Sequence, residues 1–241
     1  MDKINKTQLD IEKAEERGLV HRDYISHCLR WNYALKFIDV GARVLDVGSG
    51  NGMLAQVLYV NKYRPEKYVG VDIRPSAIQE MLRRKTNFPK QGKVFDIRFK
   101  VYPKEWENHF DIVTCFEVIE HFEKQYLNHV LSQIRVVLKP EGLLLLSTPN
   151  YDGIHQVANH VHEYYWPELK AELIKHFKIE KTIGTFASQK DLKPVMTREE
   201  LFVFEEIKDF LDSNIISVVF ASVHPYNSRN ILWVCRKNDK I

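Results

Sequence analysis

Apolar positions along the chain follow two different periods. Tyr24, His27, Cys28, Trp31, Leu35 and Ile38 recur at helical spacing in a polar background, so residues 1–40 read as a helical segment that Gly41 ends. The period then shortens. Residues 43–47 (Arg-Val-Leu-Asp-Val) form a short β-branched run that leads into glycines, which predicts a buried strand and a tight turn. Helices are expected over 53–60 and 76–85, and strands over 67–72, 94–101 and 110–115. Leu127, Val130, Leu131, Ile134, Val137 and Leu138 mark another amphipathic helix, stopped by Lys-Pro-Glu-Gly at 139–142. Residues 143–148 (Leu-Leu-Leu-Leu-Ser-Thr) are the continuous apolar run of a strand covered on both faces.

Strands alternating with helices predict a parallel sheet, wound right-handedly, with helices on both sides. Beyond Asn150 the pattern gives a helix over 166–176 and a strand over 177–186. Thr197 and Glu200 form a capping-box signature for a helix to about residue 212, and a last strand follows over 230–236. The expected organisation of 1–241 is one domain. Its parts are an N-terminal helical segment (1–40), a core (41–186), a helical cap (187–229) and the last strand (230–237).

Composition narrows the class without choosing within it. Apolar residues at 44% and charged residues at 28% suit a globular chain, no apolar run is long enough to cross a membrane, and the polar start is unlike a secretory signal. Cys28, Cys115 and Cys235 are far apart, which argues against a disulfide framework or zinc site and fits a cytoplasmic location. The net charge of +3 is small, but 62–104 holds twelve Lys/Arg against four Asp/Glu, so that stretch could meet phosphates as well as solvent.

Candidate chemistry centres on residues 44–52, Val-Leu-Asp-Val-Gly-Ser-Gly-Asn-Gly. A glycine turn between a strand and a helix lets backbone approach a ligand, and the helix start favours a carboxylate. Asp72 lies at the predicted end of the next strand, where a carboxylate can accept from both hydroxyls of a ribose. The glycine spacing is GxGxG rather than GxGxxG, and Asp46 stands two residues before Gly48. A fixed negative charge there disfavours a pyrophosphate and suits an ammonium and a sulfonium. S-adenosylmethionine carries both.

These segments resemble the class I S-adenosylmethionine-dependent methyltransferases. The first motif is similar to 44–52, the acidic second motif to 69–73, and the fourth to 110–121. The resemblance implies a Rossmann-like α/β fold with a mostly parallel seven-stranded sheet and an antiparallel last strand. It implies a cofactor site made from Asp46, Gly48, Ser49, Gly50, Gly52, Asp72, Ile73, Asp96 and Phe116. Asp46 or its neighbours would lie near the methionine amine, Asp72 on the ribose, Ile73 against the adenine and Asp96 at the adenine amine.

The reactive end is expected after the fourth strand. Glu117, Glu120 and His121 share one face if Glu117 starts a helical turn, and they could ligate Mg²⁺ or act as a general base. His162 or His160, from a histidine-rich segment after the fifth strand that includes His155, is the candidate fourth ligand or base. Tyr24, His27, Arg30 and Asn150 are candidate substrate contacts, with Pro225, Tyr226 and Arg229 on the other side.

Two subfamilies share this outline, the ubiquinone-biosynthesis-type O-methyltransferases and the small-RNA 2′-O-methyltransferases. His162 precedes Trp166 by four positions as in the RNA enzymes, but Val161, Tyr164 and Tyr165 depart from the longer RNA signature. The leading expectation is methyl transfer to O or N of a small molecule. The alternatives are metal-assisted methylation of nucleic acid and a cofactor-binding subunit without activity. Oligomeric state has no sequence signal.

Overall fold

The structure is a computed structural model that describes residues 22–154 and 157–238. The expected helical run before Arg22 and His155 lie outside the described residues. Helix α1 (Arg22–Ala34) precedes β1 (Arg43–Val47), α2 (Met53–Val60), β2 (Lys67–Asp72), α3 (Pro75–Arg83), β3 (Lys90–Val94) and β4 (Phe110–Phe116). Then come α4 (Leu127–Val137), β5 (Leu138–Pro149), α5 (Trp166–Leu173), β6 (Phe177–Phe186), α6 (Gln189–Leu192), α7 (Arg198–Ile207), α8 (Ser213–Ala221) and β7 (Asn230–Lys237).

The strands form one sheet in the order β3-β2-β1-β4-β5-β7-β6. Neighbours from β3 to β5 pair in parallel, whereas β7 runs antiparallel to both β5 and β6. The strand order reverses between β1 and β4, and in open α/β sheets ligands bind at that crevice, outside the carboxyl ends of the strands.

Burial explains the sequence pattern. Leu144 and Leu146 enter the core cluster with Val130, Leu131 and Ile134 of α4, while Leu143 and Leu145 enter the opposite cluster with Leu54 and Leu58 of α2. Successive strand residues point to opposite faces, so a strand covered on both sides needs apolar residues at every position. A third cluster, with Leu192, Phe204, Ile216 and Phe220, holds the cap together.

Several boundaries differ from expectation: β5 already begins at Leu138, so the Lys-Pro-Glu-Gly segment lies within the strand, and the helix from Trp166 ends at Leu173. Strand β3 covers Lys90–Val94 rather than 94–101. It is an edge strand and largely polar, so hydrophobicity marks instead the following loop, where Phe95 and Ile97 are buried. Helix α1 ends at Ala34, and Gly41, at φ +85°, turns the chain into β1. The helix begun at Thr197 ends at Ile207, and Asp212 caps α8, its Oδ1 accepting the backbone N–H of Asn214 at 2.8 Å.

The capping box is present: Thr197 Oγ1 accepts from the Glu200 backbone at 3.2 Å, and Glu200 Oε2 accepts from the Thr197 backbone at 2.8 Å. Thr197→Ala should lower stability by about 1 kcal/mol in urea unfolding, the usual cost of losing such a cap.

Candidate active site

The glycine loop begins where β1 ends. Gly48 (φ +69°) and Gly52 (φ +81°) have backbone conformations that side chains rarely adopt. A Cβ on Gly48 would stand 2.3 Å from Val118 Cγ2, and one on Gly52 would stand 2.5 Å from Met81 Cγ. The loop is fastened to β2 through the N–H groups of Gly48 and Ser49, which both donate to Val71 O at 2.8 and 3.0 Å.

Asp72 meets this loop. It is 7% exposed, and its Oδ2 accepts the Gly50 N–H at 3.0 Å. Its Oδ1 accepts the Arg74 N–H at 2.9 Å and Arg74 Nε at 3.2 Å. Ser49 Oγ is buried with no hydrogen-bond partner among the described residues, so the loop offers an unpaired polar atom. Ile73 is exposed beside Asp72, as a surface awaiting an apolar ring would be. Phe95 N–H donates to Asp72 O at 3.0 Å, which brings the start of the next loop, and Asp96, to the same sheet edge. Asp96 is paired with Arg98 at 2.7 Å, and that guanidinium holds its carboxyl below the usual range. Phe116 is half-buried at the end of β4.

Asp46, expected with its neighbours near a methionine amine, is only 5% exposed. Its carboxylate lies inside the sheet, accepting the Tyr68 hydroxyl on Oδ2 and Thr114 Oγ1 on Oδ1 at 2.7 Å. Burial pushes its carboxyl up to about 6, against the opposing pull of those two hydrogen bonds. With the folded-state value above the ordinary 3.8, the native state holds the extra proton between the two values, so stability rises as pH falls through about 6. Asp46→Asn removes this dependence. The stability of the native chain relative to the variant should therefore improve by about 2 kcal/mol from about pH 7.5 to about pH 4.5, measured by paired denaturant titrations.

After β4 the chain turns sharply. Glu117 has φ +56°, unusual for a residue with a side chain, and is held there by its N–H on Ser147 O at 2.9 Å. Its carboxylate accepts Ser147 Oγ at 2.9 Å and Asn230 Nδ2 at 2.8 Å, and faces Arg30 at 3.6 Å. Arg30 is 2% exposed, donates to His27 Nδ1 at 2.6 Å, and has an Nε without a partner among the described residues. Burial and the adjacent Arg30 push His27 down to about 3, so the imidazole stays neutral. The His27 ring stacks on Trp31, and Tyr24 hydrogen-bonds Cys28 one turn on. Of these helix residues, Arg30 reaches Glu117. Asn150 instead staples a loop, since its Oδ1 accepts the Trp166 N–H at 3.0 Å and its Nδ2 donates to Ser228 O at 3.0 Å.

Glu120, His121 and His160 converge, with one ligand atom from each lying within 4.8 Å of the others. Glu120 is completely buried, its Oε2 accepts Thr148 Oγ1 at 3.0 Å, and Oε1 has no partner among the described residues. Burial, then repulsion from Glu117, raises its carboxyl well above the usual range. His121 Nδ1 faces Asn159 O at 3.1 Å and His160 Nδ1 faces Glu163 Oε1 at 2.7 Å. Both partners are acceptors, so each ring donates from Nδ1, which in a neutral imidazole makes Nε2 the acceptor nitrogen. Of the expected ligand set, Glu120 and His121 are brought together. His162 is turned toward Glu168 (3.4 Å), and Glu117 is engaged by Ser147, Asn230 and Arg30. Sequence reasoning missed Tyr68, Thr114, Thr148, Ser147 and Asn230, which act across strands. Their spacing carries no signal before the register is known.

A mostly parallel seven-stranded sheet with an antiparallel β7, and a glycine loop after β1 joined to a carboxylate at the end of β2, is the arrangement that the resemblance to class I S-adenosylmethionine-dependent methyltransferases implies. The profile described as "Methyltransferase domain" matches residues 21–199, and the chain belongs to that family. It is similar to the small RNA 2′-O-methyltransferase of Arabidopsis thaliana, 23% identical over 87% of this chain and 25% of that protein. It is also similar to the ubiquinone biosynthesis O-methyltransferase of Rickettsia bellii (strain OSU 85-389), 28% identical over 62% of this chain and 65% of that protein. The chain thus spans less than two thirds of the length of either relative. A solved SAM-dependent methyltransferase from Archaeoglobus fulgidus shares the fold at TM-score 0.57 and 17% identity, covering 94% of this chain and 98% of that one. The PH0226 protein of Pyrococcus horikoshii OT3 does so at TM-score 0.58 and 16% identity, covering 90% and 92%. Among the described residues, no helix is long and apolar enough to cross a membrane.

Proposed function

We propose that this chain transfers the methyl group of S-adenosylmethionine to a hydroxyl of a small molecule, with a divalent cation held by Glu120, His121 and His160. The observation that carries the reading is the orphaned, fully buried Oε1 of Glu120 beside two imidazoles whose outer hydrogen bonds aim their lone pairs. A hydroxyl acceptor needs help to gain oxyanion character, whereas an amine needs little beyond desolvation. The donor set fits a cation. Two imidazoles to one carboxylate suit Mn²⁺ or a similar transition ion better than the expected Mg²⁺, which prefers oxygen.

Bound S-adenosylmethionine supplies an electrophilic methyl on a sulfonium. Asp72 accepts from its ribose, the Gly48–Gly52 backbone lets it approach, and the unpaired Ser49 Oγ and Arg30 Nε remain for its polar groups. Asp96 and Ile73 would meet the adenine. A divalent ion at the three donors would supply charge that favours an ionised acceptor. Glu117, with its strained backbone and fixed carboxylate, sets the wall between the two halves of the site.

RNA is the second reading. It is favoured by the longer match to the plant enzyme, 87% of this chain against 62% for the bacterial one. Labelled S-adenosylmethionine offered with catechol-type phenols and with RNA ending in a free ribose separates the two. Transfer to phenols supports the small-molecule reading, and labelled RNA resistant to periodate replaces it with the second. Transfer undiminished by EDTA would remove the metal from either.

A further inference from the structure

Glu163 is absent from every motif discussed above, yet its side chain is completely enclosed. Its Oε1 accepts the Val157 N–H at 3.0 Å and His160 Nδ1 at 2.7 Å, while Oε2 faces Arg229 at 3.2 Å. Burying a carboxylate is costly unless it is paired. Here the Val157 N–H, His160 Nδ1 and the Arg229 guanidinium all face the carboxylate. Arg229 also donates to Asn150 O at 3.3 Å and its own carbonyl accepts the Asn150 N–H at 2.7 Å. The loop carrying His160 is therefore tied at its start and near its end to the residue that precedes β7.

We propose that Glu163 is a positioning residue for the cation site: it fixes the tautomer and ring plane of His160, and Arg229 holds Glu163 in place. The inference rests on the metal reading given above and goes beyond its three donors. Oε1 already accepts the Val157 N–H, so it serves His160 as an acceptor as well, which places the ring proton on Nδ1 and makes Nε2 the nitrogen that would meet a cation. Such outer partners typically change metal affinity by about 10- to 100-fold. No bond in the methyl transfer involves Glu163.

The test is calorimetric titration of the purified chain with Mn²⁺, and separately with S-adenosylhomocysteine, for the native protein, Glu163→Ala, Glu163→Gln and Arg229→Met. Both Glu163 variants should bind Mn²⁺ about 10- to 100-fold more weakly. Arg229→Met should shift it in the same direction. S-adenosylhomocysteine affinity should stay within about twofold, since that ligand depends on β1 and β2, and saturating Mn²⁺ should restore turnover. Native-like Mn²⁺ affinity in both Glu163 variants overturns the positioning role and leaves the metal reading intact. A native protein that does not bind Mn²⁺ sinks the metal reading itself, and this proposal with it. Should Glu163→Ala fail to fold, the isosteric Glu163→Gln decides. Parallel loss of both ligands in Glu163→Gln would make Glu163 a packing residue and refute the proposal.

Discussion

Asp72→Ala should weaken S-adenosylhomocysteine binding by about a thousandfold, read by calorimetry on the purified chain. A hydrogen bond to a charged acceptor contributes about 1.5–3 kcal/mol, and a ribose offers two hydroxyls to this one carboxylate, so about 4 kcal/mol is at stake. The carboxylate is also the link between β2 and the glycine loop, through the Gly50 N–H at 3.0 Å. Its removal therefore loosens the loop as well as deleting an acceptor. Asp72→Asn separates the two contributions, because its amide oxygen can still accept from Gly50 but carries no charge. It should fall between the native protein and the alanine variant. Thermal stability should change far less than affinity, since Asp72 sits at the end of its strand rather than in either core cluster. Undiminished binding by Asp72→Ala would mean that the crevice between β1 and β2 is not where the adenosine lies.

The sheet was legible because its central strands are covered on both faces. The run at 143–148 and the 43–52 turn announce their places from local pattern alone. Strand β3 was misread because an edge strand can be polar, so hydrophobicity pointed to the loop after it. The cofactor loop was legible for a physical reason too: closely spaced positive-φ positions need glycine, and glycine is visible in sequence. The partners of Asp46 were not. Tyr68 and Thr114 reach it from β2 and β4, 22 and 68 positions away, and only strand register brings them together.

The cluster proposed to hold a cation was half legible for a related reason. Helical spacing suggested that Glu117, Glu120 and His121 share a face. The chain instead makes a left-handed turn at Glu117 and a single 3-10 turn at Ile119–His121, which directs Glu117 to Ser147 and Asn230. Between His160 and His162 sequence had no means of choosing, since the choice depends on how the loop folds over Glu120. There the Val161 and His162 N–H groups both donate to Glu120 O, at 2.8 and 3.1 Å.

Glu120→Gln should lower kcat/KM by about a thousandfold, while S-adenosylhomocysteine affinity holds and stability is unchanged or higher. The substitution keeps shape and the Thr148 contact at 3.0 Å, and removes only the capacity to ionise. Burial, then repulsion from Glu117, disfavours the charged form of the native carboxyl, so a neutral amide of the same size should not disturb the fold. Replacing a buried ionisable group by a neutral isostere is often neutral or stabilising. A divalent ion at the proposed site would favour the ionised form of Glu120, the one group of the three that could bring it a negative charge. Glutamine cannot follow, so the cation is lost and with it about 4 kcal/mol of charge stabilisation in the transition state. Added Mn²⁺ should recover little, in contrast to variants of Glu163, which leave the donor itself in place. A Glu120→Gln chain as active as the native one, in EDTA or without it, would leave a methyltransferase whose buried carboxyl serves packing alone.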